Sequence, residues 1–144
     1  MKADNKQNFD DIRPLYDSEV PAAINYLVND SYFRRVVEPL IKPIPWEMFS
    51  GAMLACKSVF DFQRTIIYPF MKQLIAKTTS ELTGIGFDDF KNGSNYIFIS
   101  NHRDIVLDAA FLNILLFEKQ INTSEIAIGD NLLIYPWITK LVRL

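Results

Sequence analysis

The chain has 144 residues, 49% apolar and 22% charged, the composition of an ordinary folded domain able to bury a core. Its 15 Lys and Arg against 17 Asp and Glu leave a formal charge of −2, with no basic field for a nucleic-acid backbone and no acidic tail. The one cysteine, Cys56, excludes an intramolecular disulfide, points to a reducing cytosolic compartment, and reads as a small buried residue rather than a nucleophile.

The chain opens Met-Lys-Ala-Asp-Asn-Lys-Gln, with no apolar run behind the lysines, and so does not read as a secretory signal. Asp17-Ser18 ahead of Pro21 predicts a capped helix over residues 22–28, and Asp30-Ser31 predicts a second over residues 32–41. Pro43 and Pro45 then break the chain, and Trp46 begins a helical pattern that lasts to residue 82. Within it Val59, Phe60, Ile66, Ile67, Phe70, Met71 and Leu74 gather on one side, with Lys57, Asp61, Arg64 and Lys72 opposite and a kink expected at Pro69. Such a face either packs on a core or lies in a lipid interface with its basic residues near headgroups. Residues 1–82 thus form a helical amino-terminal region.

From residue 83 the character changes. Gly84 and Gly86 end the helical pattern, Asn92-Gly93-Ser94 predicts a turn, and Tyr96-Ile97-Phe98-Ile99 has the continuous β-prone character of a strand buried on both faces. Residues 104–118 predict a helix, residues 125–128 a second short strand, and residues 131–144 a last apolar helix containing Pro136. This β-α-β-α order predicts an α/β fold, with a parallel sheet and right-handed crossovers begun in residues 83–144 and left incomplete. The most apolar stretch, residues 105–117, carries Asp108 and Asn113 and falls short of the roughly 20 residues that a spanning helix needs, so membrane contact is expected to be peripheral.

The chemistry is concentrated in residues 97–112. His102, the chain's one histidine, stands where the first strand should pass into a helix, the end of a strand at which α/β sheets bind ligands. An imidazole there can act as a general base if a carboxylate fixes its tautomer and balances its charge, and Asp104 and Asp108 are both placed to supply one. Each has a plainer role as well. A histidine at a strand end can be a hydrogen-bonded structural group, and Asp104 can be a helix cap. Asp108 lies among Ile105, Val106, Leu107, Ala109, Ala110 and Phe111, where an unpaired carboxylate is costly, so it needs a partner.

With Phe98-Ile99-Ser100 before them and Ala109-Ala110-Phe111-Leu112 after them, Asn101-His102 and Asp108 resemble the first motif of the glycerolipid acyltransferases. That family includes glycerol-3-phosphate and 1-acylglycerol-3-phosphate acyltransferases, and its motif is Asn-His, four residues, then Asp. The likeness covers residues 83–144. Five residues rather than four separate His102 from Asp108, which turns the carboxylate about 100° around a helix, so the two meet only if the helix starts late or bulges. Asp108 is the preferred partner and Asp104 the alternative acid, with Asn101 and Arg103 as supporting motif positions.

The resemblance implies acyl transfer from acyl-CoA or acyl carrier protein to a lysophospholipid or glycerol phosphate, at the inner face of a membrane, with His102 and Asp108 as the catalytic pair. It calls for no cofactor or metal. The family's later motifs, including the arginine segment that holds the acceptor's phosphate and a Glu-Gly-Thr-Arg-like loop, do not occur in these 144 residues. The expectation is therefore an amino-terminal fragment without measurable turnover by itself. The alternative is a non-catalytic helical module that binds a membrane interface or a protein. A serine hydrolase is disfavoured by the lack of a Gly-x-Ser-x-Gly elbow, and a metal hydrolase by the single histidine.

Overall fold

A computed structural model describes residues 9–90, 94–101 and 103–144. His102, the opening segment before Phe9 and the Asn92-Gly93 part of the expected turn lie outside the described residues. By contacts the chain divides into two units, Met1–Ile67 together with Gly129–Leu144, and Tyr68–Ile128.

The first unit is built on α1 (Val20–Asn29). Pro21 sits in its first turn, and Val20, Ala23, Ile24 and Leu27 recur at helical spacing to make one buried stripe. Packed against α1 are α2 (Ser31–Val37), α3 (Trp46–Ala55) and α7 (Pro136–Val142). Asp30 starts α2 as its sequence predicts, its Oδ1 accepting the N–H groups of Tyr32 and Phe33, both at 2.9 Å. Phe33 is the centre of an aromatic cluster, 6.1 Å from the ring of Trp46 and 5.7 Å from that of Trp137. Cys56 lies in the same core, and loss of water by burial pushes its thiol pKa upward, so it serves as a packing residue.

The helix expected over residues 46–82 is divided. After α3 the chain turns at Cys56–Ser58 and restarts as α4 (Val59–Phe62), where Ser58 Oγ accepts the N–H of Asp61 at 3.0 Å. A π-helical turn, Gln63–Ile67, leads into α5 (Tyr68–Thr78). Pro69 lacks an N–H and its ring crowds the preceding turn, so the widened turn just before it takes the place of a sharp kink. Of the apolar face read from this stretch, Ile66 and Met71 are buried, Val59 and Ile67 pack partly against the core, and Phe60 is 56% exposed.

An ion pair closes the start of the first unit. Arg13 donates to Glu19 through both terminal nitrogens, Nη1 to Oε2 at 2.7 Å and Nη2 to Oε1 at 3.1 Å, and the N–H of Tyr16 also reaches Oε2 at 2.7 Å. The Arg13 guanidinium, helped by the Tyr16 N–H, holds the Glu19 carboxyl at about 2, against an ordinary 4.5. Because the folded value is the lower one, the pair stabilises the unit fully above pH 4.5 and is lost as pH falls toward 2. Glu19→Gln should therefore flatten that part of the acid dependence of thermal unfolding, read by tryptophan fluorescence. Added salt should shrink the wild-type effect, since both groups are solvent-accessible.

In the second unit α5 lies against α6 (Leu107–Glu118). Glu118 takes the Lys72 ammonium at 2.6 Å and the Tyr68 hydroxyl at 3.1 Å, and the rings of Tyr68 and Phe117 are 4.9 Å apart. The hydrogen bond from Lys72 holds the Glu118 carboxyl below its usual range.

The expected α/β sheet is absent among the described residues, which contain helices and no strand. Residues 94–101 and 121–129 have no regular structure. Tyr96, Ile97, Phe98 and Ile99 are 44%, 91%, 37% and 94% exposed, a strand-like alternation, with Tyr96 and Phe98 turned onto the ring of Phe90 at 4.7 and 5.8 Å. A strand exists only as part of a ladder, and a lone parallel pair is weak without further strands and covering helices. Two β-prone runs separated by one helix therefore form no sheet, and only the first keeps a strand-like alternation of exposure. No helix among the described residues is long and apolar enough to cross a membrane.

Candidate functional site

Helix α6 begins at Leu107, three residues later than the sequence predicts. The delay comes from Asp104, whose Oδ1 accepts the N–H groups of Val106 at 2.9 Å and Leu107 at 2.8 Å and so holds residues 104–107 in a turn ahead of the helix. Asp104 thus does the capping work that its residue type allows. The late start also meets the condition set by the extra residue in the motif, because Asp108 now stands in the first turn of α6 rather than the second.

Asp108 reaches backward. Its Oδ2 accepts the N–H of Arg103 at 2.6 Å and that of Asp104 at 2.9 Å, which draws the carboxylate over the turn that directly follows His102 in sequence. Among the described residues, this half-buried carboxylate in an apolar stretch is met by two main-chain N–H groups, while the His102 that the sequence suggests as its partner lies outside them. Asn101, Arg103 and Asp104 are exposed, and the His102 imidazole lies outside the described residues. The structure accordingly brings Asp104 and Asp108 together around one turn, where one oxygen of each accepts two main-chain N–H groups.

Beside this turn the second unit holds an open trough of about 1520 Å³. Its polar lining includes Ser100, Asn101, Asp104 and Asp108, and its apolar lining includes Ile97, Ile99, Ile105, Ala109, Leu112 and Ile126. Among the described residues the charged side chains on it are Asp88, Asp104, Asp108 and Glu125 with Lys119, beside the apolar lining.

The far wall is set by a residue that the sequence reading did not single out for the site. Asn113 Oδ1 accepts the N–H of Ser124 at 2.6 Å and its hydroxyl at 3.0 Å, while Nδ2 donates to the Ser124 carbonyl at 3.3 Å. These bonds tie residues 121–127 to α6. The signal was a lone amide in an otherwise apolar helix, which must find polar partners when partly buried. Gly84 lies against Phe87 and Leu115 with no room for a side chain.

Comparison with protein-family models, with curated proteins and with solved structures finds no match to this chain.

Proposed function

We propose that the protein is a glycerolipid acyltransferase that works at the cytoplasmic surface of a membrane. His102 takes the proton of a glycerol hydroxyl as that oxygen attacks the carbonyl carbon of a fatty acyl thioester, carried by CoA or acyl carrier protein. The C–S bond then breaks, the acyl group passes to the oxygen, and the thiol leaves with the proton. Asp108 orients the imidazole and balances its charge.

The observation that carries this reading is the placement of Asp108. A carboxylate six positions after the histidine is too far around a helix to face it, yet here the helix starts at Leu107 and the carboxylate is drawn back to the N–H groups of Arg103 and Asp104. The turn stands at a trough whose Ile97, Ile99, Ile105 and Leu112 offer an acyl chain an apolar wall. The role rests on this turn and not on the end of a strand.

The test is direct transfer. The protein expressed from its whole reading frame, given labelled long-chain acyl-CoA and lysophosphatidate in mixed micelles, should form labelled phosphatidate. Failure to acylate lysophosphatidate or glycerol 3-phosphate from either acyl-CoA or acyl carrier protein would overturn the reading.

A further inference from the structure

The stretch from Ser31 to Lys42 divides into three faces. After α2 ends at Val37 the chain keeps winding as a turn, with hydrogen bonds from Glu38 to the Arg34 carbonyl at 2.9 Å and from Leu40 and Ile41 to the Val37 carbonyl at 2.9 and 3.2 Å. At about 100° per residue, Phe33, Val37 and Ile41 fall on one third of its circumference. That third is the packed one, with Phe33 and Ile41 buried and Val37 against the core. Tyr32, Val36 and Leu40 fall on the next third and remain 59%, 48% and 57% exposed, with Tyr32 stacked on the exposed Tyr135 at 5.9 Å. The last third carries Ser31, Arg34, Arg35, Glu38, Pro39 and Lys42, which line a shallow depression of about 470 Å³.

An exposed apolar stripe therefore runs beside a face with three cations and one carboxylate, on a protein whose formal charge is −2. Glu38 is occupied by Arg34, with bonds of 3.0 and 3.2 Å. Arg34 also stands 5.3 Å from the ring of Trp46, which fixes it at the edge of the core. Arg35 and Lys42 are both exposed on flexible stems that can reach past the apolar stripe.

We propose that this surface of α2 and the turn after it docks the protein on an anionic phospholipid bilayer. Tyr32, Val36 and Leu40 enter the headgroup boundary, and Arg35 and Lys42 meet lipid phosphates. A soluble anion would satisfy the cations and leave the apolar stripe in water. A bilayer of net negative charge satisfies both, since binding at such an interface scales with buried apolar area plus attraction to anionic lipid. The surface is a different segment from the stretch first read as interfacial, residues 59–74, where Ile66 and Met71 are buried. It is independent of the chemistry at residues 97–112, because membrane binding needs no acyl transfer.

The experiment is co-sedimentation with vesicles of phosphatidylcholine alone and of phosphatidylcholine mixed with phosphatidylglycerol. The wild type should bind the mixed vesicles, bind the neutral ones weakly, and lose binding as salt is raised. Each basic residue near an anionic surface is worth about a fivefold change in partition, so R35E/K42E should weaken binding at least about 25-fold. Leu40→Asp should weaken it on the order of tenfold. Lys57→Glu, a charge reversal at another exposed lysine, should leave it unchanged. Circular dichroism and the melting temperature of each variant show that the fold is kept. The proposal is overturned if the wild type does not distinguish the two vesicle types, if R35E/K42E or Leu40→Asp binds like wild type, or if Lys57→Glu weakens binding as much. Self-association that Leu40→Asp abolishes, in a protein that ignores both vesicle types, would assign the face to a protein partner and equally overturn it.

Discussion

Asp108→Asn should cost the transferase on the order of 10²–10⁴ in rate, comparable to the loss from His102→Ala, while Asp104→Asn stays near wild type. Both aspartates now bond to main chain, and geometry alone does not tell a structural carboxylate from a catalytic one. Charge does. The Asn amide keeps an oxygen that can accept the N–H groups of Arg103 and Asp104, so the turn before α6 survives, but it brings no negative charge to stabilise an imidazolium. At Asp104 the same exchange keeps the cap, because Asn is as good a cap as Asp. The pair of variants is measured by initial rates of labelled acyl transfer, with the melting temperature of each as a control. Equal loss from both would assign the two carboxylates one shared structural role. No loss from Asp108→Asn would remove it from the mechanism.

Phe33→Ala should be the most damaging change to the fold. The side chain is 2% exposed, lies between Trp46 and Trp137, and anchors α2 against the core beside α1. Truncating a fully buried phenylalanine removes its transfer free energy and leaves a cavity, for a loss of about 3–5 kcal/mol. That is a large share of the roughly 5–15 kcal/mol by which a domain is stable, so the melting temperature should fall by about 12 °C or more. Both tryptophans of the chain flank the deletion, so their fluorescence in a urea titration reports unfolding at the site of damage. Met48→Ala, on the exposed side of α3, should change stability by no more than about 0.5 kcal/mol.

Local chemistry made much of the first unit legible. Asp30 before Tyr32 and Phe33, and Pro21 in the first turn of α1, are helix starts signalled within a few residues, whereas the helix expected over residues 131–144 starts only at Pro136, as α7. The break after α3 was harder to see, because one of the bonds that secures it comes from far away: Asp17 Oδ1 accepts the N–H of Val59 at 3.0 Å. Ser58 with Asp61 three residues on was a local sign of the restart that apolar periodicity hid. The sheet was misread because Tyr96-Ile97-Phe98-Ile99 states a preference for a pleated environment without supplying one, and β propensity is mostly a statement about neighbours. At the site, capping by Asp104 was readable from its residue type. The backward reach of Asp108 was not, since it depends on where α6 starts, and that is decided by Asp104.

The first unit is completed from both sides of the second. Leu15 donates its N–H to the Arg143 carbonyl at 2.9 Å, Arg143 Nε and Nη2 reach the carbonyls of Arg13 and Asp10 at 2.8 and 2.7 Å, and Leu144 lies in the core with Trp137 and Leu141 packed around it. On the ribosome, then, α1 emerges with its apolar stripe ready and must wait for residues 68–128 to be made before α7 arrives to cover it. During that interval Val20, Ile24 and Leu27 are shielded only by α2 and α3, so nascent chains stalled anywhere in the second unit should be the form that chaperones hold and proteases cut.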